Sequence, residues 1–189
     1  DEAARREVEA AWGAVPSSAG LGFDEMLAEA RDGRLKAMVV LGDNPLFFAP
    51  NKAWVRECLS SLDFLLVIDS LLSDTARLAD IVLPDVSPFG KDGTYTSGDR
   101  RVVRARPAVA AWGEARPAWR IMAELGARLD KDADRWAYLS PDLIMEEMAV
   151  LIPLYSNARY GDLESGSQQA FDSYQPHAAV AQPVALEAT

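Results

Sequence analysis

Two stretches of this chain carry residue types that suit ligand binding. Gly42-Asp43-Asn44-Pro45 closes an apolar run, Ala37 to Leu41. Gly42 can take φ values closed to other residues, Pro45 fixes its own φ, and Asn44, preceding proline, is pushed towards extended backbone. Such a turn exposes backbone N–H groups and two small polar side chains. In open α/β sheets, ligands sit beyond the carboxyl ends of strands. A purely structural strand-to-loop turn is the competing reading. The second stretch holds Arg100, Arg101, Arg104 and Arg106, the one basic cluster of an acidic chain. Guanidinium forks suit phosphate or carboxylate. Surface pairing with the abundant acids competes, and composition favours it.

Other chemistry is thinly provided. No phosphate loop, dinucleotide fingerprint, nucleophile elbow or metal-spaced His/Cys set occurs. Asp63, Asp69 and Asp80 border apolar runs and read as turn or cap aspartates. Cys58 is the single cysteine, so the chain can form no internal disulfide and hold no iron–sulfur cluster by itself. Its neighbours Val55, Leu59 and Leu62 place it on a buried helix face. His177 is the single histidine, in a polar, Ala- and Pro-rich stretch, and is a poor metal site.

The elements that position these residues alternate. Ala37–Leu41 and Phe64–Ile68 read as strands buried on both faces, and Ile81–Leu83 as a third, short one. Helices are expected over residues 1–12, Asp24–Asp32 (capped by Gly33), Asn51–Ser61 and Ser73–Leu78. Strand–helix alternation predicts an α/β fold: a Rossmann-like, doubly wound, mainly parallel sheet with flanking helices. Residues 85–106 read as a long loop containing a small hairpin. A helix follows Pro117, with Trp119, Met122, Leu125 and Leu129 inward. Another follows Ser140-Pro141, with Leu143, Ile144, Met148 and Leu151 inward. The organisation expected is an N-terminal helix and loop over 1–22 continuing from a missing upstream part, an α/β domain over 23–155, and a polar, flexible tail over 156–189.

The chain has 189 residues, 49% hydrophobic and 25% charged, with a net charge of −10. That composition supports a real core. The acidic balance excludes nucleic acid as a partner, and no run has the length of a membrane span.

Several segments in order resemble one family, the molybdopterin oxidoreductases. Gly33 to Pro45 is similar to the approach to that family's G-x-N-P turn. Asp69 to Pro84, D-S-L-L-S-D-T-A-R-L-A-D-I-V-L-P, resembles its D-x-x-x-T-x-T-A-x-x-A-D-V-V-L-P stretch. Gly93-Thr94-Tyr95-Thr96, Arg100-Arg101-Val102 and Gly113-Glu114-Ala115-Arg116-Pro117-Ala118-Trp119 continue it. The resemblance covers about residues 10–155 and implies a formate dehydrogenase/DMSO reductase-like domain fragment.

Two subfamilies compete. The Gly-Glu-Ala-Arg-Pro-x-Trp stretch looks like the large iron–sulfur subunit of bacterial NADH:quinone oxidoreductase, complex I. So do Gly90, Ser97 and Val103, where the molybdenum enzymes commonly carry Glu, Asn and Gln. That reading implies a scaffold beside a respiratory electron-transfer chain, in an NADH dehydrogenase. The alternative is the molybdopterin-guanine-dinucleotide-binding domain of a formate dehydrogenase-like enzyme. Under either, this fragment alone is expected to hold no cofactor and to be inactive, while its parent holds iron–sulfur clusters. If a dinucleotide is bound, the resemblance implies Gly42, Asn44, Pro45, Asp69 and Thr75 as its contacts. The implied partners are the rest of the subunit and other subunits of a respiratory complex, without membrane insertion. The implied location is cytoplasmic, on the inner side of the cell membrane.

Overall fold

The computed structural model describes residues 2–13, 15–98, 101–164 and 169–170. Helix α1 spans Glu2–Trp12 and α2 spans Phe23–Arg31. Asp24 and Glu25 occupy the first turn of α2, where acids suit the helix dipole, and Glu25 accepts from the Gly22 N–H at 2.8 Å. Gly33 follows its end at φ 72, with Arg34 N–H returning to Glu29 O, a glycine-terminated helix as expected. Strand β1 (Ala37–Leu41) leads through a helical turn, α3 (Pro45–Phe48), into α4 (Lys52–Ser60). Asn51 caps α4 by accepting from Trp54 N–H at 3.1 Å. The turn α3 was not expected: Pro45 starts it, since its missing N–H costs nothing in a first turn.

Strands β2 (Phe64–Asp69) and β3 (Ile81–Pro84) complete a three-stranded parallel sheet in the order β1-β2-β3. Val40 pairs with Val67, and Val67 with Val82. These, with Leu65, form one face and pack on Leu27 of α2 and on Val55, Cys58 and Leu59 of α4. On the other face, Leu66 and Ile68 are covered by Ile121 of α5 (Ala118–Leu129). Helices therefore lie on both faces of the sheet.

Several expectations need correction. β2 is buried through its centre, but β1 is an edge strand: Val39 and Leu41 are 45% and 49% exposed, because α5 covers only the β2–β3 side. The expected helix over Ser73–Leu78 is a single 3-10 turn, Ala76–Leu78, to which Ser73 Oγ still contributes by accepting from Ala76 N–H at 3.2 Å. In α5 the inward residues are Ile121 and Ala123, with Met122 and Leu125 partly buried, whereas Leu129 is exposed. In α6 (Pro141–Leu151) Met145 and Ala149 are buried and Leu143 is exposed. In each helix part of the expected face packs inward, Met122 and Leu125 in α5 and Met148 in α6, while its end or edge stays exposed, because what buries a residue is the neighbour it meets.

The region after Pro84 forms a second sheet. β4 (Gly93–Thr96) and β5 (Arg101–Ala105) make the expected antiparallel hairpin, and β6 (Gln169–Ala170) joins β5. Val102 packs with Met145 of α6 and with Ala158, Tyr160 and Leu163, the last two on α7 (Tyr160–Glu164). The stretch from Ser156 to Glu164 is thus part of a core rather than a tail, and the boundary expected at 155 moves beyond it. The remaining expected tail, from 171 onwards, lies outside the described residues. Among those described, no helix is long and apolar enough to cross a membrane.

Candidate functional site

The three parallel strands end on one side of their sheet, and the residues after them share a rim. After β1, Gly42 takes φ 61 and donates its N–H to Ile68 O at 2.8 Å. No heavy atom lies within 4 Å of where its Cβ would stand, so glycine is required there by backbone conformation and not by crowding. Asp43 Oδ1 accepts from Asn44 N–H at 2.7 Å, which tightens the turn.

Asn44 then reaches across to the segment after β2. Its Oδ1 accepts from the Thr75 hydroxyl at 2.7 Å and from the Thr75 N–H at 3.3 Å. Thr75 is fully buried, and its Oγ1 also accepts from Leu46 N–H at 3.2 Å. That hydroxyl donates once and accepts once, and so closes a polar clip between the β1 turn and the β2 loop. Thr75 therefore positions the turn, and Pro45 is buried beneath it. On the rim, Gly42 is exposed and Asn44 and Asp69 are partly so. Asp69 Oδ1 accepts from Leu71 N–H at 3.2 Å. Its second oxygen has no hydrogen-bond partner among the described residues.

One rim residue was missed by sequence reasoning. Asp85, 6% exposed at the end of β3, donates its N–H to Asp69 O at 3.0 Å. Its Oδ1 accepts from Ala118 N–H at 2.9 Å, capping α5, and its Oδ2 pairs with Lys91. A carboxylate buried with a helix N-terminus and an ammonium is satisfied on both oxygens. The only sequence signal was an acid directly after a strand-ending proline; its cap partner lies 33 residues away.

Two members of the arginine cluster are engaged in ion pairs. Arg104 makes a two-pronged pair with Asp92 at 3.1 and 3.0 Å, also pairs with Glu164, and lies 4.3 Å from the Tyr160 ring centroid. Arg106 bonds Glu164 at 2.9 Å. Surface pairing is what these two do. Arg101 is exposed, and Arg100 lies outside the described residues. Asp80 Oδ2 accepts from Leu65 N–H at 2.7 Å and Asp63 pairs with Lys36, so both act as turn residues. Cys58 is buried, and burial pushes its thiol up from the ordinary value. Among the described residues no group of acids, His and Cys could hold a metal.

Gly90 has a packing reason of its own: a Cβ there would stand 2.6 Å from the Val86 side chain. Ser97 Oγ donates to Arg101 O at 3.0 Å, within the hairpin turn. The Arg116-Pro117 step frames the start of α5, with Arg116 N–H donating to Pro84 O at 3.1 Å and its guanidinium on Glu124.

Comparison with known proteins adds to this geometry. The chain matches the family model described as "Molybdopterin oxidoreductase" over residues 3–128. It is 38% identical over 175 residues to "Putative formate dehydrogenase YrhE" of Bacillus subtilis, covering 92% of this chain and 18% of that protein. To "Probable oxidoreductase YjgC" of the same organism it is 37% identical, covering 87% and 16%. To "Putative formate dehydrogenase SAB2186c" of Staphylococcus aureus it is 36% identical, covering 74% and 14%. The chain thus spans less than a fifth of the length of these relatives. Acetylene hydratase from Pelobacter acetylenicus shares the fold, with a TM-score of 0.59 at 19% identity, over 77% of this chain and 19% of that one. These names correct the subfamily reading. They support a formate dehydrogenase-like relationship and lend nothing to the complex I reading, whose marker stretch serves the start of α5.

Proposed function

The chain belongs to the molybdopterin oxidoreductase family, and from that premise we propose that it is the Rossmann-like, doubly wound part of a formate dehydrogenase-like molybdenum oxidoreductase. Its rim at the ends of β1 and β2 receives the guanosine end of the pterin dinucleotide. The observation that carries this reading is the clip between Asn44 and Thr75, which fixes an open glycine turn beside Asp69. An open Gly42 leaves room for a ligand to lie against backbone. The unpartnered oxygen of Asp69 suits the N–H donors of a guanine edge or a ribose hydroxyl. Asp43 and Asp69 also give the rim carboxylate acceptors for the N–H and O–H donors of base and sugar. Gly42, Asn44 and Asp69 would hold the group, while Pro45 and Thr75 set the turn from beneath. When bound in the parent, the cofactor supplies the redox chemistry; these residues only bind and orient one end of it.

The same reading makes the remainder of the parent chain the first partner. Val39 and Leu41 on β1, Ile81 on β3, and Leu71 and Leu72 beyond β2 leave apolar surface open around one sheet face. The free edge of β1 offers backbone groups for a further strand. Iron–sulfur clusters would belong to other parts of the parent, since this sequence has one cysteine.

Calorimetric titration of the chain with GDP tests the reading. A stoichiometric heat that Asp69→Asn reduces and ADP does not reproduce is expected. No heat, or an equal heat with ADP or with Asp69→Asn, would overturn it.

A further inference from the structure

A cavity of about 470 Å³ lies away from the rim, where the end of α1 meets α6 and the segment 130–138. Its walls are three aromatic side chains, Trp12, Trp136 and Tyr138, with Asp130, Glu147 and Arg135 between them. Each polar edge of these rings is already bonded. Trp12 Nε1–H donates to Glu147 Oε1 and the Tyr138 hydroxyl to Glu147 Oε2, both at 2.5 Å. Trp136 Nε1–H donates to Asp130 Oδ2 at 3.0 Å. Arg135 is likewise committed, to Trp12 O at 2.8 Å and to Asp132 at 3.3 Å.

Two consequences follow from these bonds. The rings are held by carboxylates, so the walls are set before any guest arrives. What a guest then meets is ring carbon and carboxylate oxygen, with no free N–H or O–H on the aromatic walls. Carboxylates outnumber the guanidinium two to one, in a chain of net charge −10. An anion meets two carboxylates against one guanidinium, which is already turned to Trp12 O and Asp132, and a neutral apolar guest makes no use of the carboxylates. A cation with apolar substituents uses both: ring faces attract it through their quadrupoles and the carboxylates through charge.

We propose that this cavity binds a small organic cation carrying a substituted ammonium group. The site is independent of the nucleotide rim and of what the parent enzyme oxidises.

Titration of the full 189-residue chain with choline tests it, followed by the indole N–H resonances of Trp12 and Trp136. The uncharged isostere 3,3-dimethylbutan-1-ol serves as control. Choline is expected to shift both resonances saturably and to bind about tenfold or more tightly than the isostere, as cation–π and charge attraction require. Glu147→Gln, which keeps side-chain size, is expected to weaken choline binding several-fold and leave the isostere unchanged. Trp12→Ala removes one wall and is expected to abolish saturation; Trp12→Phe keeps a ring face and is expected to restore it. Equal binding of choline and the isostere, shifts confined to residues outside the cavity, or no shift at tens of millimolar choline would each overturn the proposal.

Discussion

The parallel-sheet half and the hairpin half of this chain each bury a side-chain hydroxyl, and they treat it in opposite ways. Thr75, beneath the rim, is fully buried with its hydroxyl donating to Asn44 and accepting from Leu46 N–H. Tyr160, in the hairpin half, is 8% exposed, and its hydroxyl has no hydrogen-bond partner among the described residues. Its ring instead lies under Arg104, whose charge is paired with Asp92 and Glu164. The sheet half spends a buried polar group on fixing a loop. The hairpin half uses Tyr160 as ring surface and puts its polar order outside, in ion pairs. A site needs the first arrangement, because a loop that must meet a ligand has to be held where burial alone would leave it free.

The largest effect should come from the core on which the sheet half rests. Leu27→Ala removes a fully buried side chain from the α2–β-sheet contact and should cost about 2–5 kcal/mol in denaturant unfolding. A cost below about 1 kcal/mol would mean that α2 does not anchor this half. Thr75→Val, similar in shape, strips the clip and leaves Leu46 N–H buried without a partner. A loss of about 1–3 kcal/mol is expected. Asn44→Ala should follow the same direction, since Thr75 then loses its acceptor.

Gly42→Ala should cost about 1–2 kcal/mol, from left-handed backbone alone, because space for the methyl group is open. A loss well above that would show crowding at the turn. Alkaline titration sharpens the contrast from the other side. Burial pushes the phenols of Tyr160 and Tyr138 up to about 12, with Asp92 adding at Tyr160 and the Glu147 bond adding at Tyr138. An unfolded tyrosine titrates near 10, so their contribution is complete below pH 10 and is lost as pH climbs towards 12. Absorbance of tyrosinate should show these two groups ionising above the ordinary tyrosine value near 10, and unfolding should set in across that window.

The smallest effect is the most diagnostic. Tyr160→Phe removes a hydroxyl that bonds to nothing described, so stability should stay within about 0.5 kcal/mol or rise slightly. A loss comparable to that of Thr75→Val would mean that the hydroxyl has a partner, and the two halves would no longer differ in kind.

The sequence alone determined what short-range chemistry controls. Three strands, the glycine turn at Gly42, the Asn51 cap, the Gly33 helix end and the presence of a small hairpin after Pro84 rest on φ preferences and capping between near neighbours, which act within a few residues. The order of family-like segments, Gly42 to Pro45 and then Asp69 to Pro84, was equally legible. Tertiary structure decided the rest. It decided that β1 is an edge, that α5 and α6 bury Ile121 and Met145, and that residues 156–164 join a core. It also decided that Asn44 meets Thr75 across 31 residues, Asp85 meets Ala118 across 33, and Trp12 meets Glu147 across 135. Which of several polar groups becomes buried, and against what, is set by how whole elements pack. No local pattern encodes that, because each partner's position depends on the burial of all the others.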